Sequence, residues 1–265
     1  MGAIVCAALV LCYWPLFSHS AALWMAPESY YTHIILIPFM SGYLVYDRWS
    51  RLKEIPVRPV TWPLLLLFPL LYANFITARS PRDLFLSVMF IATLCLGTVF
   101  VAGWRWLWAL AAPIGFLIFG LPIWEQAIDV YTQPMQRISS ALAFQMLSAV
   151  GMNPYKADDT TILTDHFQMI VGVPCSGLRT IVAVLALAVY CIMIGRMRVW
   201  ANATLLAVAI PLAIMVNGLR IAMIGMVGET MGQDAGMKFH DTSGYISVVV
   251  LVVALWQIAK ALGMK

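Results

Sequence analysis

Charge is what this chain has least of. Of its 265 residues only 11% are Asp, Glu, Lys or Arg, whereas 62% are hydrophobic. A soluble domain is about a quarter charged, so this chain lacks the polar surface to cover a water-soluble globule. Lipid must be the solvent for much of it, and the sequence reads as an all-α integral membrane protein. Cysteine is scarce too. The five, Cys6, Cys12, Cys95, Cys175 and Cys191, are odd in number and scattered, which argues against a disulfide framework and a zinc site. No metal or cofactor is expected. Four of them lie inside apolar segments, where a thiol behaves as a small hydrophobe. The formal charge of +4 sits mostly in short loops, where membrane topology accounts for it, so nucleic acid is not an expected partner. A basic start and a small-residue cleavage site are missing at the N-terminus, so the first apolar segment is expected to stay as an anchor. Internal repeats, low-complexity tracts and linkers are also missing, which predicts one membrane-embedded domain over 1–265.

What is present is a succession of apolar runs. A helix needs about 20 such residues to cross the hydrocarbon. Eight segments qualify: 2–24, 31–47, 60–78, 83–103, 105–124, 177–197, 199–228 and 244–262. Their loops orient them. DRWSRLKEIPVRP (47–59), Arg105, the RMR loop at 196–198 and the tail with Lys260 and Lys265 share one side. APESYYTH, the long 125–175 segment with more acidic than basic residues, and GETMGQDAGMKFHDTSG share the other. Positive-inside bias then puts both termini in the cytoplasm. RSPRD (79–83) is the one exception, with Arg79 and Arg82 outside.

Within 125–175, Ile128, Tyr131, Met135, Ile138 and Leu142 recur at helical spacing, with Asp129, Gln133, Gln136 and Arg137 between them. This predicts an amphipathic helix along the outer interface, bent near Pro134. After Gly151 the pattern changes: TTILT, then Phe167, Met169, Val171 and Val173 at alternate positions, predicts a short β-hairpin. That hairpin delivers the chain to VGVPCSGLRT (171–180).

Cys175 in that stretch sits at a predicted helix start, where unpaired amides and the macrodipole favour a thiolate. Ser176 and Gly177 leave the approach to its sulfur uncrowded, and Arg179 adds a positive charge one turn on. Arg220, in VNGLRIAMIGMV, lies about two turns below the outer end of its span, roughly 10–12 Å deep. A guanidinium at that depth is costly and should face a polar cavity. Asn217, one turn earlier, shares its helical face. His240, just before the last span, reaches the same leaflet, where His33 and His166 compete for the role of base and His19 is a more distant candidate. A thiol, a guanidinium and an imidazole from separate segments thus converge. A thiolate attacks a carbonyl, an imidazole shuttles protons, and a fixed cation holds the oxyanion. The reaction class is acyl transfer from a peptide bond.

PCSGLR, then NGLR in a later span, then HDTSG before the last one resemble the exosortase/archaeosortase family of membrane-embedded cysteine transpeptidases. The resemblance assigns the family's catalytic Cys, Arg and His to Cys175, Arg220 and His240, with Gly244 in the H-x-x-x-G context. It extends to SYYTHIILIPFMSGYLVYDRW and PMQRISSALAFQMLSAVGM, from about residue 29 to 255. His33 is followed by Ile34, a departure from the early histidine motif, and takes no role. The family implies exported substrate proteins with a C-terminal sorting tail, made of a short signature, one transmembrane helix and a basic cluster. The tail is cleaved through a Cys thioester at the outer face of the cytoplasmic membrane and the protein passed to an acceptor nucleophile. The additional C-terminal domain of some members is not expected here.

The alternative of another class is a non-enzymatic transporter or assembly factor for an exported polysaccharide, with Arg220 as a binding-site charge. Against it, the spans show no inverted-repeat symmetry, and the polar residues gather on the outer side instead of at the midplane. A cysteine protease that only hydrolyses differs from a transpeptidase in which nucleophile reaches the thioester, which residue types do not reveal.

Overall fold

The structure, a computed structural model, describes residues 9–25, 35–77 and 83–264. Two compact units divide the chain, Met1–Gln126 and Ala127–Lys265. The first contains helices α1 (Trp14–Met25), α2 (Leu36–Asp47), α3 (Leu64–Thr77), α4 (Asp83–Ala102) and α5 (Trp104–Phe116), the last extended by 3₁₀ turns. Its core is aromatic: Tyr13 and Phe17 each meet Phe90 edge-on, at 5.2 and 5.3 Å between ring centroids. Some of its buried polar groups are satisfied in separate pairs, while the Ser20 and Ser87 hydroxyls meet no partner among the described residues. Tyr13 Oη lies 2.6 Å from Thr93 Oγ1, Asn74 donates to the Cys12 carbonyl at 2.8 Å, and Ser41 donates to the Pro113 carbonyl at 2.8 Å.

The second unit carries α6 (Glu125–Ala149), the antiparallel sheet β1 (Tyr155–Lys156), β2 (Thr161–Leu163), β3 (Gln168–Ile170), and helices α7 (Leu178–Gly195), α8 (Val199–Met231) and α9 (Gln233–Ala261). Alanines allow α7, α8 and α9 to approach closely: Ala188, Ala209, Ala213 and Ala259 are fully buried among Leu205, Leu251 and Leu255. Small residues at the contact are how helices associate in lipid, where apolar burial alone drives nothing. The opposite face of α9 leaves Tyr245, Ile246, Val249 and Val253 exposed, an apolar surface suited to acyl chains.

Four of the described helical segments are long and apolar enough to cross a membrane: Asp83–Ala102, Val173–Gly195, Val199–Met231 and Gln233–Ala261. Leu64–Thr77 and Trp104–Gly120 are apolar but shorter, and the segments expected at 2–24 and 31–47 run into residues outside the described ones. Residues 79–82, which carry the exceptional arginines, also lie outside them.

Three expectations are revised. The last span, expected from 244, begins at Gln233, so His240 is a helical residue and not a loop residue. Gly232 makes this geometry: its φ of +90° is open to glycine, and it alone separates α8 from α9. The amphipathic helix at 125–149 forms and continues through Pro134, but its buried stripe has a different phase. Tyr131 and Ile138 are exposed, while Ile128, Thr132, Met135, Ser139, Ala143 and Leu147 point inward. Ser139 on that stripe donates to the Ser176 carbonyl, whereas Thr132 bonds the Ile128 carbonyl of its own helix. The expected hairpin is β2–β3, with β1 as an additional strand, and the alternation holds for buried Phe167, Met169 and Val171 before failing at exposed Val173. Asp158 closes the β1–β2 turn by accepting the N–H groups of Thr160 and Thr161, each at 2.7 Å, and two threonine hydroxyls. Those bonds hold its carboxyl at about 2, below the ordinary 3.8.

Candidate active site

Cys175 ends a 3₁₀ turn (Val173–Cys175) that Pro174 favours by fixing φ. The turn is closed by the Cys175 N–H on the Gly172 carbonyl at 2.9 Å and the Ser176 N–H on the Val173 carbonyl at 3.2 Å. Gly177 then takes φ +82° and caps α7. It is the one residue that fits: besides the positive φ, a Cβ there would lie 2.8 Å from Asn217 Nδ2. That close approach has a purpose. The buried Asn217 amide donates to the Cys175 carbonyl at 2.9 Å and to Ser139 Oγ at 3.0 Å, and Ser139 donates to the Ser176 carbonyl at 3.2 Å. Side chains from α6 and α8 thus clamp both carbonyls of the Cys-Ser turn. The Ser176 hydroxyl accepts the Leu178 N–H at 3.4 Å, a weak bond at the head of α7.

On α9, His240 Nε2 lies 3.0 Å from Cys175 Sγ. Its Nδ1 lies 3.2 Å from Asp241 Oδ1. A carboxylate can only accept, so Nδ1 carries the proton in that contact. In the neutral ring Nε2 is then the acceptor, and it faces the thiol. Arg220 completes the group. Its Nε donates to Ser243 Oγ at 3.1 Å and its Nη2 to the His240 carbonyl at 3.4 Å, while Ser243 donates to the same carbonyl at 3.0 Å. The guanidinium therefore grips the helical turn that carries the imidazole.

A cavity of about 440 Å³ opens onto this arrangement, with Cys175 and His240 in its wall beside Ile221, Ile224 and Met237. Arg220 does not line it. The thiol is 5% exposed and the imidazole 24%, so the pair is sheltered but reachable. The N–H groups of Cys175 and Ser176 both face carbonyls of their own turn, so neither is free to cradle an oxyanion. Arg220, with donors to spare beyond the two bonds above, is a fixed cation bonded directly to the imidazole's turn.

Cys175, Arg220, His240, Ser176, Gly177 and Asn217, expected to act together from the sequence, are gathered within one network. Gly244 also adjoins it, one turn beyond His240, but a Cβ there would meet Arg220 Nη2 at an ordinary 3.9 Å, so glycine is not required. The Arg179 side chain and His33 lie outside the described residues. His166 is elsewhere: its main-chain N–H bonds the Glu229 carboxylate and its ring is exposed. His19 pairs with Asp83 at 3.2 Å in the first unit. Ser139, Asp241 and Ser243 were missed. Asp241 and Ser243 sit in HDTSG beside the histidine, and Ser243 is one turn from it once that stretch is read as helix. Ser139 gave no signal, being a serine in an otherwise amphipathic pattern.

The profile of the family described as transmembrane exosortase (Exosortase_EpsH) matches residues 24–257. No curated protein and no solved structure matches the chain.

Proposed function

The chain belongs to the transmembrane exosortase family, and on that premise we propose that it is a membrane-embedded cysteine protease or transpeptidase acting on exported proteins. Its substrates carry a C-terminal tail of a short signature, a transmembrane helix and a basic cluster. The observation that carries this reading is the 3.0 Å contact between Cys175 Sγ and His240 Nε2 at the wall of an open cavity. His240 takes the thiol proton as the sulfur attacks the scissile carbonyl, and Arg220 stabilises the tetrahedral oxyanion in a site of low dielectric. His240 then returns the proton to the departing amine as the C–N bond breaks, leaving a thioester on Cys175. An incoming amine or water attacks the thioester, giving its proton to His240, and the thiol is restored.

The loop charges support a bundle of about eight spans with both termini cytoplasmic, which turns the site to the outer face of the cytoplasmic membrane. Cys175 precedes α7, Arg220 lies two thirds of the way along α8 and His240 in the first third of α9, so all three lie towards the end of the helical group where α8 finishes and α9 starts. Arg196, Arg198 and Lys260 occupy the other.

The test is a reporter fused to a tail from the same genome, co-expressed with wild type or Cys175→Ala. Release of the tail by wild type alone is expected, and equal release by both would end the reading. Mass spectrometry of the new C-terminus separates the two fates: an amide-linked acceptor means transfer, a free carboxylate hydrolysis.

A further inference from the structure

The cavity in front of Cys175 has an unusual wall. Phe167, Gln168, Met169, Ile170 and Val171 all line it. Successive side chains of a strand point to opposite faces, and here Phe167, Met169 and Val171 are buried whereas Gln168 and Ile170 are exposed. Five consecutive residues share one cavity only when it runs along the strand's edge, against the main chain. Among the described residues that edge meets no other strand, because the sheet order is β1-β2-β3 and β3 pairs only with β2.

The pairing register says which groups face the cavity. Val171 N–H donates to the Thr160 carbonyl and Thr164 N–H to the Phe167 carbonyl, so residues 167 and 169 and the Val171 N–H face β2, while the Val171 carbonyl accepts from the Gln136 side chain at 3.0 Å. Gln168 and Ile170 therefore direct theirs outward. The Ile170 carbonyl is taken by the Gly172 N–H at 2.9 Å. The Gln168 N–H, the Gln168 carbonyl and the Ile170 N–H remain, among the described residues, without a strand to meet them.

The strand also has a direction. A Cβ on Gly228 would strike Phe167, one on Gly225 would strike Met169, and Asn217 binds the Cys175 carbonyl. The chain thus descends α8 from its far end towards the cysteine, with Ile221, Ile224 and Met237 forming the cavity's other, apolar side.

We propose that the substrate polypeptide binds as an extended strand added to the outer edge of β3, running parallel to it, with the residues before the scissile bond beside Gln168 and Ile170. The chain then reaches Cys175 as it approaches the membrane. Main-chain bonds to Gln168 and Ile170 give affinity irrespective of sequence, and side chains turned towards Ile221, Ile224 and Met237 give preference for apolar residues. The direction follows from the tail: its folded part lies outside and its helix in lipid, so the signature descends as β3 does. This inference rests on the function proposed above and adds how that substrate is held.

Ile170→Pro tests it, because proline deletes an N–H that the β2 ladder does not use and is tolerated on an edge. Ile170→Ala keeps the N–H and serves as the control. With the tailed reporter in proteoliposomes, kcat/KM for Ile170→Pro is expected to fall roughly five- to ten-fold below that for Ile170→Ala, mainly through KM, because both lose the side chain and only proline loses the N–H. The rate of Cys175 alkylation by iodoacetamide should be unchanged in both. Equal kcat/KM for the two variants overturns the proposal. Should Ile170→Pro fail to fold, hydrogen exchange on Cys175→Ala with and without reporter decides: slowed exchange at the Gln168 and Ile170 amides supports it, and unchanged exchange overturns it. The two readings fail separately. Protection of those amides without cleavage by wild type sinks the chemistry and leaves the groove, whereas cleavage without protection does the reverse.

Discussion

Among the described residues each compact unit holds a histidine–carboxylate pair, and the two differ in their company. His19 meets Asp83 at 3.2 Å, and His240 meets Asp241 at the same 3.2 Å. Beside His240 stands a thiol at 3.0 Å, and the turn that carries it is tied to Arg220 and Ser243. Among the described residues no such nucleophile is recorded beside His19. The surroundings differ in the same way. Buried polar groups of the first unit are either held in isolated bonds, Tyr13 to Thr93 or Asn74 to Cys12, or, like Ser20 and Ser87, meet no partner among the described residues. Those of the second are linked, with Ser139, Asn217, Ser176, Cys175, His240, Ser243 and Arg220 within hydrogen-bond reach of one another in series. An isolated bond satisfies a buried group, whereas a chain of bonds across three helices fixes relative positions, which catalysis requires.

The sharpest way to break this contrast is to remove the histidines in turn. His240→Ala should reduce tail release about 10²- to 10⁴-fold, and Cys175→Ala should abolish it, while His19→Ala should leave it within about two-fold. Quantifying processed reporter checks all three, and a comparable loss at His19 would erase the distinction between the units. Next comes Arg220→Lys, expected to cost about 10²-fold in kcat, because an ammonium cannot hold Ser243 and the His240 carbonyl together and still donate to an oxyanion. Near-normal turnover would relegate the cation to a charge that only helps the helix sit in lipid.

Smaller effects separate the two site glycines. Gly177→Ala should lower stability by about 1–3 kcal/mol, from the strained φ and the collision with Asn217. Gly244→Ala should be neutral or stabilising by up to about 1 kcal/mol, since it lies in a helix with room for a methyl group. Thermal unfolding in detergent compares them. The smallest effect belongs to Asp158, whose folded-state pKa of about 2 lies below the ordinary 3.8. A depressed carboxyl stabilises the fold above its unfolded pKa and loses that contribution as pH falls through the folded one. Asp158→Asn should therefore narrow the difference in midpoint between pH 5 and pH 2, read from the same melts.

Much of the site was legible because its members are costly or rare where they sit: an arginine inside an apolar run, a cysteine between proline and Ser-Gly, a histidine beside an aspartate. Their convergence followed from counting helices between them, and an odd or even number of crossings tolerates errors in boundaries. The boundaries themselves were less legible. GETMGQDAGMKFHDTSG is polar and glycine-rich, so it read as a loop, yet it is helix on both sides of Gly232 because α8 and α9 support each other there. The phase of α6 was also hidden. The apolar recurrence that predicts the interfacial helix includes Tyr131 and Ile138, which are exposed, whereas the buried stripe includes Ser139, bonded to the distant Ser176 carbonyl that no local pattern announces. The start of Leu64–Thr77 illustrates the same limit: the apolar run suggested a span from 60, whereas the helix begins at Leu64.

Gly232 has a last consequence. By joining α8 to α9 with a single residue, it lets both helices overshoot the cysteine's level, α8 continuing about 16 Å past Arg220 and α9 starting about 10 Å before His240. The crest lends Gln233 and Met237 to the wall of the cavity that holds Cys175. Trimming it should therefore widen the way in to the thiol, which faster alkylation of the shortened protein would register.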